Sequence, residues 1–91
     1  MDKRSLLYPS SAIVSEESDC NSIMLQLSSK DKHGKILAWY GKVLKAENYS
    51  ITEMSDDGDD PKILSEKSGK KAVIRIVTNG DTNLITIQAE V

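Results

Sequence analysis

The sequence predicts an α+β domain: a twisted antiparallel sheet of four to five strands with one α-helix packed on one face. Three observations predict it. Between Asp31 and Tyr49, the residues Ile36, Leu37, Tyr40, Val43 and Leu44 recur at offsets of three and four. That spacing gathers side chains on one side of a helix. The stretches around it alternate apolar with polar residues, as half-buried strands do. Asn79-Gly80, set between two such stretches, is a hairpin signal because both residue types tolerate positive φ. One helix cannot cover two faces of a sheet, so one face is expected to meet water.

Taken in order, Met1 to Ser5 is polar and expected to fray. Leu6, Leu7, Tyr8 and Pro9 follow, and Pro9 pushes Tyr8 toward extended geometry. Ala12 to Val14 reads as a short edge strand and Ser15 to Asn21 as a polar turn. Ser22 to Ser28 places Ile23, Leu25 and Leu27 on one face against Met24 and Gln26. The helix comes next. Asp31 is its expected N-cap, with Ser29 as the alternative, because a carboxylate or hydroxyl accepts from free N–H groups there. Ala38, Gly41 and Lys45 are expected to face water. Asn48 suits the left-handed position after the last turn. Gly34 and Gly41 each weaken the helix by about 1 kcal/mol against alanine, so it needs packing to persist.

Tyr49 to Met54 is a further alternating run, and Ser55 to Pro61 an acidic turn. Lys62 to Lys67 reads as a short strand, Ser68-Gly69 as a turn, and Lys71 to Thr78 as a β-branched strand. Asn83 to Val91 returns with Ile85, Ile87, Ala89 and Val91 on one face. The element order is strand, strand, helix, then four strands. Ile36, Tyr40, Val43 and Leu44 are expected to meet Ile23, Leu25, Leu27, Ile74, Ile76, Ile85 and Ile87.

The 91 residues make one domain, 1–91. Its core must be aliphatic, since there is no Phe and one Trp. A formal net charge of −2 gives no overall pull toward nucleic acid. Tyr8, Trp39 and Tyr40 do not form the aromatic pattern of an RNA-binding sheet. A single cysteine, Cys20, excludes an internal disulfide and a cysteine-based zinc site. No stretch is apolar and long enough to span a bilayer. The N-terminus lacks the apolar core of a signal peptide. The protein is therefore cytoplasmic, or its leader has been replaced by the start methionine.

The run Leu7-Tyr8-Pro9-Ser10-Ser11-Ala12 resembles the opening of small domains found in exported bacterial proteins and lipoproteins. In those domains a polar cap and a helix of the form V-x-x-W/F-Y-x-x-x-L follow. Here Asp31 matches the cap, and Ile36, Trp39, Tyr40 and Leu44 match the helix. Asn48-Tyr49 stands where Gly-Trp is usual, and the runs SGKKAVIRI and TNLITIQ resemble the closing hairpin. The resemblance implies an extracytoplasmic, non-enzymatic module.

Trp39 is the sharpest candidate for a contact. With Lys32, Lys35 and Lys42 on the same flank, it forms a candidate interaction face for a protein or an anionic surface. The competing account, and the better one, folds Trp39 over the sheet with lysine stems packed on it. Glu53, Asp56, Asp57, Asp59 and Asp60 surround Gly58, and clustered carboxylates suit Ca²⁺. EF-hand spacing fails, because aligning Gly58 puts Leu64 where a bidentate Glu is needed. A solvated turn is the better account. His33 has no second histidine or cysteine to share a metal. Cys20 lies beside Asp19, which disfavours a thiolate. Lys67, Lys70 and Lys71 around Ser68-Gly69 lack the strand–loop–helix setting of a phosphate loop.

No catalytic, metal or cofactor-binding set is expected, and no cofactor. The leading expectation is a non-enzymatic interaction or structural module of a cell-envelope protein, acting through an exposed sheet face or the Trp39 flank. It would be a monomer or a weak homodimer. The rivals are a cytoplasmic regulatory protein that dimerises through a sheet edge at Ala12 to Val14 or at Val91, and a small-ligand protein using the acidic loop and His33.

Overall fold

Six strands, rather than four or five, join a single antiparallel sheet. A computed structural model describes residues 3–56 and 61–90. The strands are β1 (Ala12–Ser18), β2 (Ser22–Ser29), β3 (Ser50–Ser55), β4 (Lys62–Lys67), β5 (Lys70–Asn79) and β6 (Thr82–Glu90), with one helix, α1 (His33–Ala46), between β2 and β3. Their spatial order is β1-β2-β6-β5-β4-β3. β6 is thus interior, paired on both sides with β2 and β5, and Val91 lies outside the described residues. β1, expected as a short edge strand over Ala12 to Val14, runs on to Ser18, so the polar stretch expected to be a turn is mostly strand. Its backbone pairs with β2, and an edge position needs no apolar side chain, which is why alternation did not mark the part beyond Val14.

The two-residue turns differ. Lys67 pairs with Lys70 across Ser68 (φ 52°) and Gly69 (φ 80°), the two positive φ values of a type I′ turn. Asn79 pairs with Thr82, so the second turn is Gly80-Asp81, and only Gly80 takes positive φ (64°). This is the pattern of a II′ turn, set one residue later than expected.

The helix buries Ile36, Leu37, Tyr40, Gly41 and Leu44. Val43 is only half-buried, and Gly41 faces inward rather than to water. A Cβ at Gly41 would lie 3.1 Å from the Met54 methyl on β3, so the approach of β3 rotates the buried stripe toward Gly41. The helix ends as a Schellman motif: Asn48 N–H donates to Lys45 O (3.0 Å) and Tyr49 N–H to Leu44 O (2.9 Å), with Asn48 at φ 66°. Tyr49 and Leu44 are both buried, the apolar contact that accompanies this motif.

The helix start corrects the expected cap. Lys32 occupies the N-cap position and makes no side-chain cap bond. The Asp31 carboxylate instead accepts from the Tyr8 hydroxyl at 2.6 Å and faces Lys35 at 3.6 Å. Ser29 accepts from the Asp31 N–H at 3.1 Å, so it shapes the turn before the helix. Asn83 on β6 donates to Asp31 O (2.6 Å) and accepts from Thr78 (2.7 Å), which ties the helix entry to the sheet.

The N-terminal segment is not frayed throughout. Lys3–Leu6 forms a 3₁₀ turn, Leu6 and Tyr8 are buried, and Tyr40 Oη donates to Leu6 O at 2.8 Å. They join Ile23, Leu25, Leu27, Ile74, Ile76, Ile85 and Ile87 in one cluster, with Ile63, Ala72 and Ala89. Helix and N-terminal segment thus share one face of the sheet.

Candidate interaction surfaces

On the helix flank expected as an interaction face, the aromatic residue is packed and the lysines are exposed. Trp39 is half-buried, its ring edge-on to Tyr8 (centroids 5.4 Å, 83°) and to Tyr40 (4.9 Å, 90°). Edge-to-face contacts of this kind each contribute about 0.5–1.5 kcal/mol beyond area burial. Lys32, Lys35 and Lys42 are exposed around it, and Lys35 is drawn to Asp31. Among the described residues a cation–π contact lies elsewhere: Lys67 Nζ sits 5.8 Å from the Tyr49 ring centroid.

The phenols respond to this packing. Burial, reinforced by the hydrogen bond to Asp31 and that carboxylate's charge, pushes Tyr8 up to about 12. Burial also raises Tyr40 and Tyr49 above the ordinary value of 10. A folded pKa above the unfolded one leaves its stabilisation intact below pH 10 and removes it as pH rises through the folded value. In the folded protein the tyrosinate absorbance at 295 nm is therefore expected to rise at a higher pH than it does for free tyrosine. A tyrosine titrating at 10 in the folded state contradicts the packing.

Two features treated apart in the sequence meet in space. His33 Nδ1, in the first helical turn, lies 2.8 Å from Asp56 Oδ1 at the end of β3. Asp56 Oδ2 also lies over Gly34, 3.4 Å from where a Cβ would stand. A carboxylate thus reaches a helix start that has no acidic residue of its own. Asp57, Gly58, Asp59 and Asp60 lie outside the described residues. Among the described residues no three His, Cys, Asp or Glu side chains come together as metal ligands. Cys20 is exposed in the β1–β2 turn, at the opposite end of β2 from His33. The neighbouring Asp19 carboxylate accepts from the Asn21 and Ser22 N–H groups, which hold it below the usual carboxylate range. Among the described residues Cys20 and His33 do not meet.

A further exposed surface is the other face of the sheet. Cross-strand registers place its residues in rows. One row runs Glu17, Met24, Gln88, Val73, Leu64, Glu53. The next runs Ser15, Gln26, Thr86, Arg75, Lys62, Ser55, and the third runs Ala12, Ser28, Leu84, Val77. Val77 is 57% and Met24 38% exposed, while Val73, Leu64 and Leu84 are half-buried. Shallow depressions lie on both sides of the middle row, one around Met24 and Val73, the other around Val77 and Leu84. The alternation of β2 set Met24 and Gln26 on the face opposite Ile23, Leu25 and Leu27. It could not show which residues of other strands line up with them, because that depends on strand order.

The sheet edges are β1 and β3. Ile13 and Val14 on β1 are 54% and 58% exposed. Both edges carry a register shift, between Ile13 and Ser15 and between Ile51 and Glu53. Both also carry glutamates, Glu16 and Glu17 on one and Glu53 on the other. Bulges and charges on edge strands are devices that oppose edge-to-edge pairing.

Among the described residues no helix is long and apolar enough to cross a membrane. Comparison of the chain with protein-family models, curated proteins and solved structures finds no match.

Proposed function

We propose that this chain is a non-enzymatic interaction module whose contact surface is the uncovered face of its sheet. One observation carries the reading: the helix and the N-terminal segment lie together on one face, and the opposite face presents Met24, Val73, Leu64, Val77 and Leu84 in the two rows that flank Arg75. Apolar side chains gathered on an exposed surface among polar and charged ones are a mark of a protein contact. The helix flank is the weaker candidate, because Trp39 already packs on two tyrosines. Edge pairing between two copies is favoured by exposed Ile13 and Val14 and opposed by the bulges and glutamates on both edges. The likeness to exported bacterial domains supports placement in a cell-envelope protein, and an apolar leader encoded upstream of residue 1 is the expected finding.

The test is photo-crosslinking in cells that make the protein, from a reactive residue at position 77 or 24 and, for comparison, at 39 or 45. A discrete protein adduct is expected from the open-face positions and is lost with Val73→Asp. Adducts confined to positions 39 and 45 would reject the reading.

A further inference from the structure

Arg75 stands at the centre of the open face with no carboxylate in its row. Its cross-strand neighbours are Thr86 on β6 and Lys62 on β4. Like charges directly opposite on a sheet are destabilising. Lys62 has a further contact within the chain. The Arg75 side chain makes no hydrogen bond or ion pair within the described residues, and the residue is exposed. The other facing cation on this surface, Lys71, lies directly opposite Glu66. A second like-charged pair, Lys67 and Lys70, flanks a solvated turn, and Lys67 rests over Tyr49. Arg75 alone sits between apolar neighbours on its own strand, Val73 and Val77. Each of these borders one of the two depressions.

We propose that this face binds an amphipathic helix of a protein partner that sets a carboxylate on Arg75 between two apolar anchors. This rests on the open face being the contact surface. Val73 to Val77 spans about 13 Å along the strand. Helix positions i, i+4 and i+8 span about 12 Å and stay within one apolar-width stripe. An anchor, an acid and an anchor at those positions therefore match Val73, Arg75 and Val77. A helix satisfies its own backbone when laid on a sheet face, whereas an extended segment would leave N–H and C=O groups unpaired. Arginine donates two parallel N–H bonds to a carboxylate. Glu17 and Glu53, at the two ends of the Met24–Leu64 row, suit basic residues on the flanks of such a helix. A second copy fits poorly. A two-fold perpendicular to the strands sets Arg75 against Arg75, and one along the strands sets Glu17 against Glu53.

The probe is an alanine-based 20-residue peptide with Leu, Glu and Leu at successive four-residue steps and lysines on its flanks. Its partner probe has the Glu replaced by Lys. Each is titrated into the ¹⁵N-labelled full chain. Expected are amide shifts on the open face of β2, β5 and β6, and binding of the Glu peptide about tenfold tighter or more than the Lys peptide, as a charge-assisted bond requires. Arg75→Glu should reverse that preference while leaving the melting temperature unchanged. Equal binding of both peptides on the open face overturns the role of Arg75 and leaves the open-face reading standing. Shifts confined to the helix face, or none at millimolar peptide, overturn both.

Discussion

Leu44→Ala is expected to destabilise the protein by about 2–5 kcal/mol, the range for emptying a fully buried leucine site. Leu44 is completely buried at the C-terminal end of the helix's inner stripe. Its carbonyl also accepts the Tyr49 N–H that closes the Schellman motif, so the cavity opens beside the bonds that end the helix. A domain of this size has about 5–15 kcal/mol in total, and the loss is a large share of it. Chemical denaturation with an unchanged slope and a lower midpoint is the expected readout. An unmoved midpoint would mean that the helix does not lie on the sheet.

Leu6→Ala carries a comparable expectation, about 2–5 kcal/mol, at a position where the sequence pattern gave no reason for it. Leu6 is completely buried, and its carbonyl holds the Tyr40 hydroxyl. Loss of the side chain should also loosen Tyr8, which packs on Trp39 and Tyr40 and donates to Asp31. Denaturation again reads the result. An effect below about 0.5 kcal/mol, the range of ordinary surface changes, would place the N-terminal segment outside the core.

The contrast between these two sites shows what a sequence of this kind reveals. The helix was legible because its spacing is periodic over several turns, and Ile23, Leu25, Leu27, Ile74, Ile76, Ile85 and Ile87 were legible because they alternate. All of them are buried. Leu6 and Tyr8 lie in a short irregular stretch with no period to read. Their burial follows from the helix and sheet leaving a flank that this segment fills. Gly41 was misplaced because it has no side chain to announce a face, and its burial comes from β3 and Met54. Asp31 was misplaced as a cap because its partner, Tyr8, is distant in sequence.

The same division holds for the surfaces. Trp39 drew attention as a lone large aromatic among lysines, and local sequence could not show Tyr8 and Tyr40 closing on it. Arg75 drew none, since a cation in an outward-facing strand position is ordinary. Its isolation appears only when strand order brings Thr86 and Lys62 to its sides.

The central claim is that one sheet face is covered and the other is open. Methyl relaxation in the presence of a soluble paramagnetic agent measures this directly. The account predicts strong broadening of the Val77 and Met24 methyls, intermediate broadening for Val73, Leu64 and Leu84, and protection for Leu6, Leu25, Leu44, Ile74, Ile85 and Ile87. Protected Val77 and Met24 methyls, or broadened Leu44 and Ile74 methyls, would contradict it.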